Sequence, residues 1–401
     1  MMKRKALCDK VTVIRVAVAT VVCVMATVLS ARADTYKDRF GLTWTYTVTR
    51  GTGVTLTAVD DKSAIFAASN FPWTFTNNGT DYTVTALGGS LCSEWTTLTG
   101  KLTIPSAVKT INNAAFNSCK GLTGLSIEEG VSTLPYRAFY ASANIKGPLI
   151  IPHSVLTVAA QSFLFLGSQL TSVWVKGPEK VASGTQPYTS IANGNGNVLF
   201  VYGDLGLKVA LLGPYTKPTG TNGKVFHQLN DCPVYVPRNG YWLEDELDFY
   251  FAGTKTVLFY GTGEELDIAI DETKNVLTAT PTTVHALTNV MASAAHFKSD
   301  FGLDTKISIT NAFTYSASQF TGMTARNVTF ERLMFSAKTQ AELTEILTAF
   351  PAPIKLAIDP AGLTGTLSVP SDREIHVKIG DGYKIKQHTN GFEVLIAPSG
   401  R

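Results

Sequence analysis

The chain has 401 residues, 45% hydrophobic and 16% charged, which is enough for a large core and for two or three domains. Six Lys/Arg and one acid fall in residues 1–33, so 34–401 holds 28 basic and 30 acidic residues. The slight basicity of the whole chain belongs to its first residues, and the remainder carries no charge excess of the kind a nucleic-acid surface needs.

Lys3, Arg4, Lys5, Lys10 and Arg15 precede an apolar run from Val16 to Ser30, and Ala31-Arg32-Ala33 follows. A basic head, a short apolar body and a small-x-small exit predict a secretory signal peptide over 1–33, cleaved after Ala33. The run is short for a bilayer span. The mature chain is therefore expected to be secreted or displayed at the cell surface, with no membrane span after cleavage. Cys92, Cys119 and Cys232 remain, an odd number that leaves at least one unpaired within the chain.

Residues 34–81 read as an N-terminal β cap. Leu42–Thr49 and Val54–Val59 alternate with period 2, and Trp73–Thr85 reads as a hairpin turning at Asn77-Asn78-Gly79.

Residues 82–182 repeat. Leu102, Ile104, Val108, Ile111 and Phe116 are matched 23 residues on by Leu125, Ile127, Val131, Leu134 and Phe139. A further 24 residues bring Leu149, Ile151, Val155, Val158 and Phe163, and Val84, Leu87 and Leu91 extend the pattern backward. Three full units and a partial one at each end follow from this spacing. Within a unit, two alternating hydrophobes make a short strand, and Ala115-Phe116 begins a tight turn. One unit cannot bury these side chains alone; stacked units can, which predicts a solenoid with each Phe on the Phe of the next coil.

The stretch LTIPSAVKTINNAAFNSCKGL, Leu102 to Leu122, resembles the bacterial surface leucine-rich repeats of the BspA-like kind. Cys119 matches that family's recurrent cysteine, and Ser142 replaces it one unit on. The resemblance covers about 100 residues. It implies a leucine-rich repeat fold and a role as a surface, adhesion or interaction protein.

Strand alternation places one residue of each unit on the open strand surface, giving a row of Thr103, Ser126, Ile150 and Trp174 flanked by Lys101, Glu128 and Lys176. Thr103, Ser126, Glu128, Ile150, Trp174 and Lys176 form the candidate partner-binding face. Two readings of Trp174 stay open: an exposed anchor of the kind that dominates interaction hot spots, or a residue buried by a loop from 183–240.

Residues 183–240 read as irregular repeat-like coils and loops, with strands at Val198–Tyr202 and Pro233–Pro237. Residues 241–401 read as a C-terminal α/β region. Thr339-Gln340-Ala341-Glu342 is a capping box opening a helix through Leu343, Ile346, Leu347 and Phe350, and a second helix carries Val284, Leu287, Val290, Met291 and Ala294. Strands are expected at Val257–Tyr260, Leu266–Ile270, Ile307–Ile309, Val328–Phe335, Ile354–Ile358 and Ile375–Ile379.

No catalytic constellation emerges. Tyr260–Leu266 has two glycines but no following Lys-Ser/Thr, so it reads as a turn and not a phosphate loop. His285 and His296 fall three helical turns apart, too far for a metal pair. Glu244, Asp245, Glu246 and Asp248 lack the glycine turn and distal Glu of a calcium loop. No cofactor and no metal is expected.

The expected fold is mixed α/β and β-rich: a leucine-rich repeat solenoid with an N-terminal β cap and a C-terminal α/β region. The expected role is non-enzymatic protein–protein interaction or adhesion, with a protein on a host or neighbouring-cell surface as partner. A structural surface module, or a carbohydrate-binding or degrading protein with its activity in 241–401, are the alternatives. Pocket-lining aromatics with paired carboxylates would favour the carbohydrate reading; a flat polar surface would favour interaction or structure.

Overall fold

In the computed structural model the described residues are 33–159, 161–164, 170–178, 189–190, 207–214, 216–217, 232–238, 256–308, 313–314, 328–350, 356–372, 374–378 and 382–396. The expected signal peptide up to Arg32, the strand at Val198–Tyr202 and the acidic cluster at 244–248 lie outside them. The molecule is β-rich, with two α-helices among the described residues. Neither is long and apolar enough to cross a membrane.

The first sheet holds β1 (Ala33–Lys37), β2 (Thr43–Arg50), β3 (Gly53–Val59), β5 (Thr74–Asn77) and β6 (Thr80–Leu87), in the order β1-β2-β3-β6-β5. The alternation in β2 buries Trp44 and Tyr46 and turns the threonines outward. Phe66 of the short β4 (Phe66–Ala67), Phe71 and Trp95 complete this aromatic core, and Phe71 passes it on to Phe116 at 6.1 Å.

From here strands pair in parallel at the sequence period. β7 (Leu98–Ile104) runs beside β9 (Leu122–Ile127), with Leu102 opposite Leu125 and Ile104 opposite Ile127. β11 (Gly147–Ile151) runs beside β13 (Leu170–Val175), with Leu149 opposite Val173. A second set of two-residue strands follows each of these: β8 (Thr110–Ile111) pairs with β6, whereas β10 (Thr133–Leu134) pairs with β12 (Thr157–Val158), then β14 (Thr189–Ser190) and β16 (Thr216–Lys217). The two ladders are interrupted at different places. β9 and β11 belong to different sheets, and so do β8 and β10. Pro148, at the start of the strand on the far side of the first break, has no N–H to donate.

The third side of each unit is a turn held by backbone bonds to the next unit. Cys92 N–H donates to Ala115 O, Phe116 N–H to Ala138 O, and Phe139 N–H to Ser162 O, at 2.8–2.9 Å. Ser90, Ala114, Arg137 and Gln161 adopt φ of 54–58° at this same period, as do Glu94, Ser118 and Ala141 at 54–65°. None is a glycine, so the turn is imposed by the stacked neighbours and not by local backbone preference. Phe116, Phe139 and Phe163 stack as their spacing predicts, with centroids 5.6 Å apart and planes within 4°. Cys119 Sγ donates to Cys92 O, and Ser142 Oγ, one unit on, donates to Phe116 O; a thiol or a hydroxyl thus fills the same role. Cys92, Cys119 and Cys232 are all free and buried.

The β13 ladder continues in parallel through β15 (Val209–Leu212), β17 (Pro233–Pro237) and β18 (Thr256–Tyr260). Past β18 the connections change. β19 (Leu266–Asp271) and β20 (Val276–Pro281) form an antiparallel hairpin. Helix α1 (Val284–Phe301) then leads to β21 (Asp304–Ser308), parallel to β20, and a short β22 (Phe313–Thr314) follows. β23 (Val328–Ser336), α2 (Gln340–Ala349) and β24 (Leu356–Asp359) repeat that strand–helix–strand arrangement, and β26 (Ile375–Val377) ends the sheet. β25 (Thr366–Pro370), β28 (Gly391–Ile396) and β27 (Tyr383–His388) make a small antiparallel sheet that the sequence pattern had not indicated.

α1 starts at Thr283, whose side chain accepts from Ala286 N–H, and stops at Gly302 in the left-handed conformation. α2 opens with the expected capping box of Thr339 and Glu342.

Candidate functional site

The outward row runs Thr103–Ser126 across β7 and β9, then Ile150–Trp174–Leu211–Tyr235–Leu258 across β11, β13, β15, β17 and β18. Its two parts have different environments. Thr103 and Ser126 are half-exposed, and Lys101 and Glu128 are exposed. Trp174, by contrast, is 3% exposed. Its ring lies 5.4 Å from Phe301 of α1, while Tyr235 meets Phe297 at 5.5 Å and bonds Ser293 Oγ at 2.9 Å. The exposed-anchor reading of Trp174 is therefore corrected. Among the described residues its cover is a helix more than a hundred residues on. The sequence signal lies in Val209–Leu212 and Pro233–Pro237, which are apolar without alternation, the pattern of a sheet buried on both faces. Ile150 sits half-buried at the boundary.

Beyond α1 the covered face opens again into a cleft of about 460 Å³, whose lining includes Trp174, Lys176, His153, Ile268, Ile270 and Glu272. Trp174, and Lys176 just past the end of β13, line it in alternation with the inward Val173 and Val175; Ile268 and Ile270 of β19, with Glu272 just past its end, line it by the same alternation. Gly213 forms the far wall, where a Cβ would lie 1.8 Å from the Lys176 carbonyl oxygen, so only glycine lets these backbones approach.

Glu272 joins the groups. Its Oε2 accepts from Lys176 Nζ and its Oε1 meets His153 Nε2, each at 2.5 Å. His153 Nδ1 lies 2.6 Å from Gly177 O. A carbonyl only accepts, so Nδ1 carries a hydrogen, and the Nε2–Oε1 contact needs a proton between the two atoms. Lys176 Nζ also sits 4.8 Å from the Trp174 ring centre, a cation–π contact. Burial works to raise the Glu272 carboxyl's pKa, but the hydrogen bonds and charges of Lys176 and His153 outweigh it and hold the group below its ordinary value. Sequence reasoning reached Trp174 and Lys176 but not His153 or Glu272. Glu272 is 96 residues beyond Lys176, and no local pattern marks that contact.

His285 and His296 do not converge: they face Glu265 and Asp300 respectively. Among the described residues no three His, Cys, Asp or Glu side chains gather as metal ligands do.

Residues 89–183 match the family described as the BspA type leucine rich repeat region, in six copies. This part of the chain is a BspA-type leucine-rich repeat region. Curated proteins give no match. Among solved structures, a leucine-rich repeat protein from Bacteroides ovatus is similar at 12% identity, over 83% of this chain and 89% of that one, with a TM-score of 0.27. A leucine rich cell surface protein from Faecalibacterium prausnitzii is similar at 11% identity, over 88% and 97%, with a TM-score of 0.31. Pneumococcal vaccine antigen PcpA is similar at 11% identity, over 88% and 100%, with a TM-score of 0.24.

Proposed function

We propose that the chain is an exported leucine-rich repeat solenoid, capped by 34–81, that binds a protein partner at or outside the cell surface without catalysis. The observation carrying this reading is the open polar face of β4, β7 and β9. Thr99, Lys101, Thr103, Thr123, Ser126 and Glu128 are half-exposed or exposed there, while Leu98, Leu102, Leu122 and Leu125 fill the core behind them. Its threonine and serine side chains are short, with Lys101 and Glu128 standing exposed among them, and such a face can take a complementary protein surface with little rearrangement. The BspA-type region is consistent with it. Thr103, Ser126 and Glu128 form the binding face, with Ile150 at its boundary; Trp174 and Lys176 belong to the cleft.

The test is capture of surface proteins from host-cell or neighbouring-cell extract by the purified protein, compared with Thr103→Arg and Ser126→Arg. Both sites are half-exposed, so the variants should fold. Capture that falls at least tenfold in both supports the face. Equal capture by wild type and variants removes it.

A further inference from the structure

We propose that the cleft between β13 and β19 is a binding site for one neutral pyranose ring of a glycan. The site is separate from the polar face of β7 and β9, and the proposal does not rest on a protein partner binding there.

The volume comes first. About 460 Å³ lies within the range of small-molecule sites. The walls come second. Ile268 and Ile270 are half-buried and Pro214 is exposed, so three aliphatic surfaces are available to the C–H faces of a ring.

The polar groups decide the class. Lys176 and Glu272 pair across 2.5 Å, and both ring nitrogens of His153 are already engaged, with Gly177 O and Glu272, so His153 presents no further donor to an anion. Lys176 nevertheless has three N–H donors and gives one to Glu272. Each Glu272 oxygen has two acceptor positions and, among the described residues, uses one of them, on Lys176 or on His153. The pair thus offers a donor and an acceptor side by side without being broken. Adjacent hydroxyls of a sugar, each both donor and acceptor, match that arrangement. A carboxylate ligand would have to approach Lys176 past the Glu272 charge, and an ammonium ligand would have to approach Glu272 past Lys176 and His153. A zwitterion would have to separate the pair, leaving desolvated charges to be re-paired. Among the described residues one carboxylate lines the cleft, and hydrolysis of a glycosidic bond uses two; the inference is binding alone.

Saturation-transfer NMR with the whole protein tests this, using methyl glucoside, methyl galactoside, methyl mannoside and N-acetylglucosamine, with glucuronate and phenylalanine as charged probes. At least one neutral pyranoside should bind with a millimolar or tighter Kd. Ile270→Trp, which fills the hollow from its aliphatic wall, should weaken that Kd at least tenfold with an unchanged circular dichroism spectrum. Lys176→Met, which removes the donor, should weaken it at least fivefold. The proposal is overturned if no neutral pyranoside gives transfer to the wild type, if glucuronate or phenylalanine binds more tightly than every neutral sugar, or if folded Ile270→Trp binds as the wild type does. Because the Thr103→Arg and Ser126→Arg variants leave the cleft intact, they should bind the sugar unchanged.

Discussion

Among the described residues Phe139 lies between two parallel rings, Phe116 on one side and Phe163 on the other. Replacing a buried Phe by Ala costs about 3–5 kcal/mol, from lost transfer energy and an incompletely collapsing cavity. Phe139→Ala should be the most damaging of the three, and its denaturation midpoint should fall below those of the other two. A smaller effect of opposite sign is expected at Ala114, held at φ 58°. An L-residue in this conformation costs roughly 1–2 kcal/mol, and the extra chain freedom of glycine takes back about 0.5–1 kcal/mol. Ala114→Gly should raise stability by a fraction of a kcal/mol to about 1 kcal/mol, seen as a higher denaturant midpoint. The thiols should be inert: burial pushes Cys119 and Cys232 up to about 12 and Cys92 well above its ordinary value. Native-state labelling at neutral pH should wait for unfolding, and fast labelling of Cys92 and Cys119 would contradict their burial. Glu272 carries the acid dependence of the cleft. Its pKa in the fold lies below the ordinary 4.5, so its contribution is complete above that value and is lost as the pH falls through the folded value. The stability gap between wild type and Glu272→Gln should be open near pH 7 and closed in strong acid, measured by chemical denaturation at both.

Helix α1 is the element that divides the sheet's outer face. Its buried side carries Leu287, Val290, Phe297 and Phe301, and Phe301 shields Trp174. Trp174→Ala should therefore lower stability by about 3–5 kcal/mol and the melting temperature by several degrees. A variant melting with the wild type would place the ring in solvent. How much was legible in the sequence follows from the range of each signal. The register of β7 and β9 was readable because Leu102 and Leu125 repeat at a fixed offset, and the two helices because Val284, Leu287, Val290 and Met291 fall at helical spacing and Thr339 with Glu342 makes a capping box. The docking of α1 on β13 was not, since nothing near Trp174 encodes Phe301. The hairpin of β27 and β28 carried a local signal in Asn390-Gly391 between two strand-like runs, but its lysines and short hydrophobic stretches hid the alternation.

At the scale of the molecule, the inward residues of β7, β9, β11 and β13 share the repeat core, while the outward side changes from polar and open at Thr103 on one sheet to covered at Trp174 on the next and hollow at Glu272. The proposed face and the cleft lie on different sheets, the first on β4-β7-β9 and the second on the sheet that runs from β11 to β26. The staggered interruption of the two ladders bears on how this body would carry a load. A pull along the stacking direction meets a missing rung between β9 and β11 and another between β8 and β10, one unit apart, with the turn bonds from Phe116 to Ala138 and from Phe139 to Ser162 bridging them. As with offset joints in a brick wall, no crack can run straight through. The weak seams should yield one after the other and absorb tension in steps, where aligned seams would let the molecule part at once.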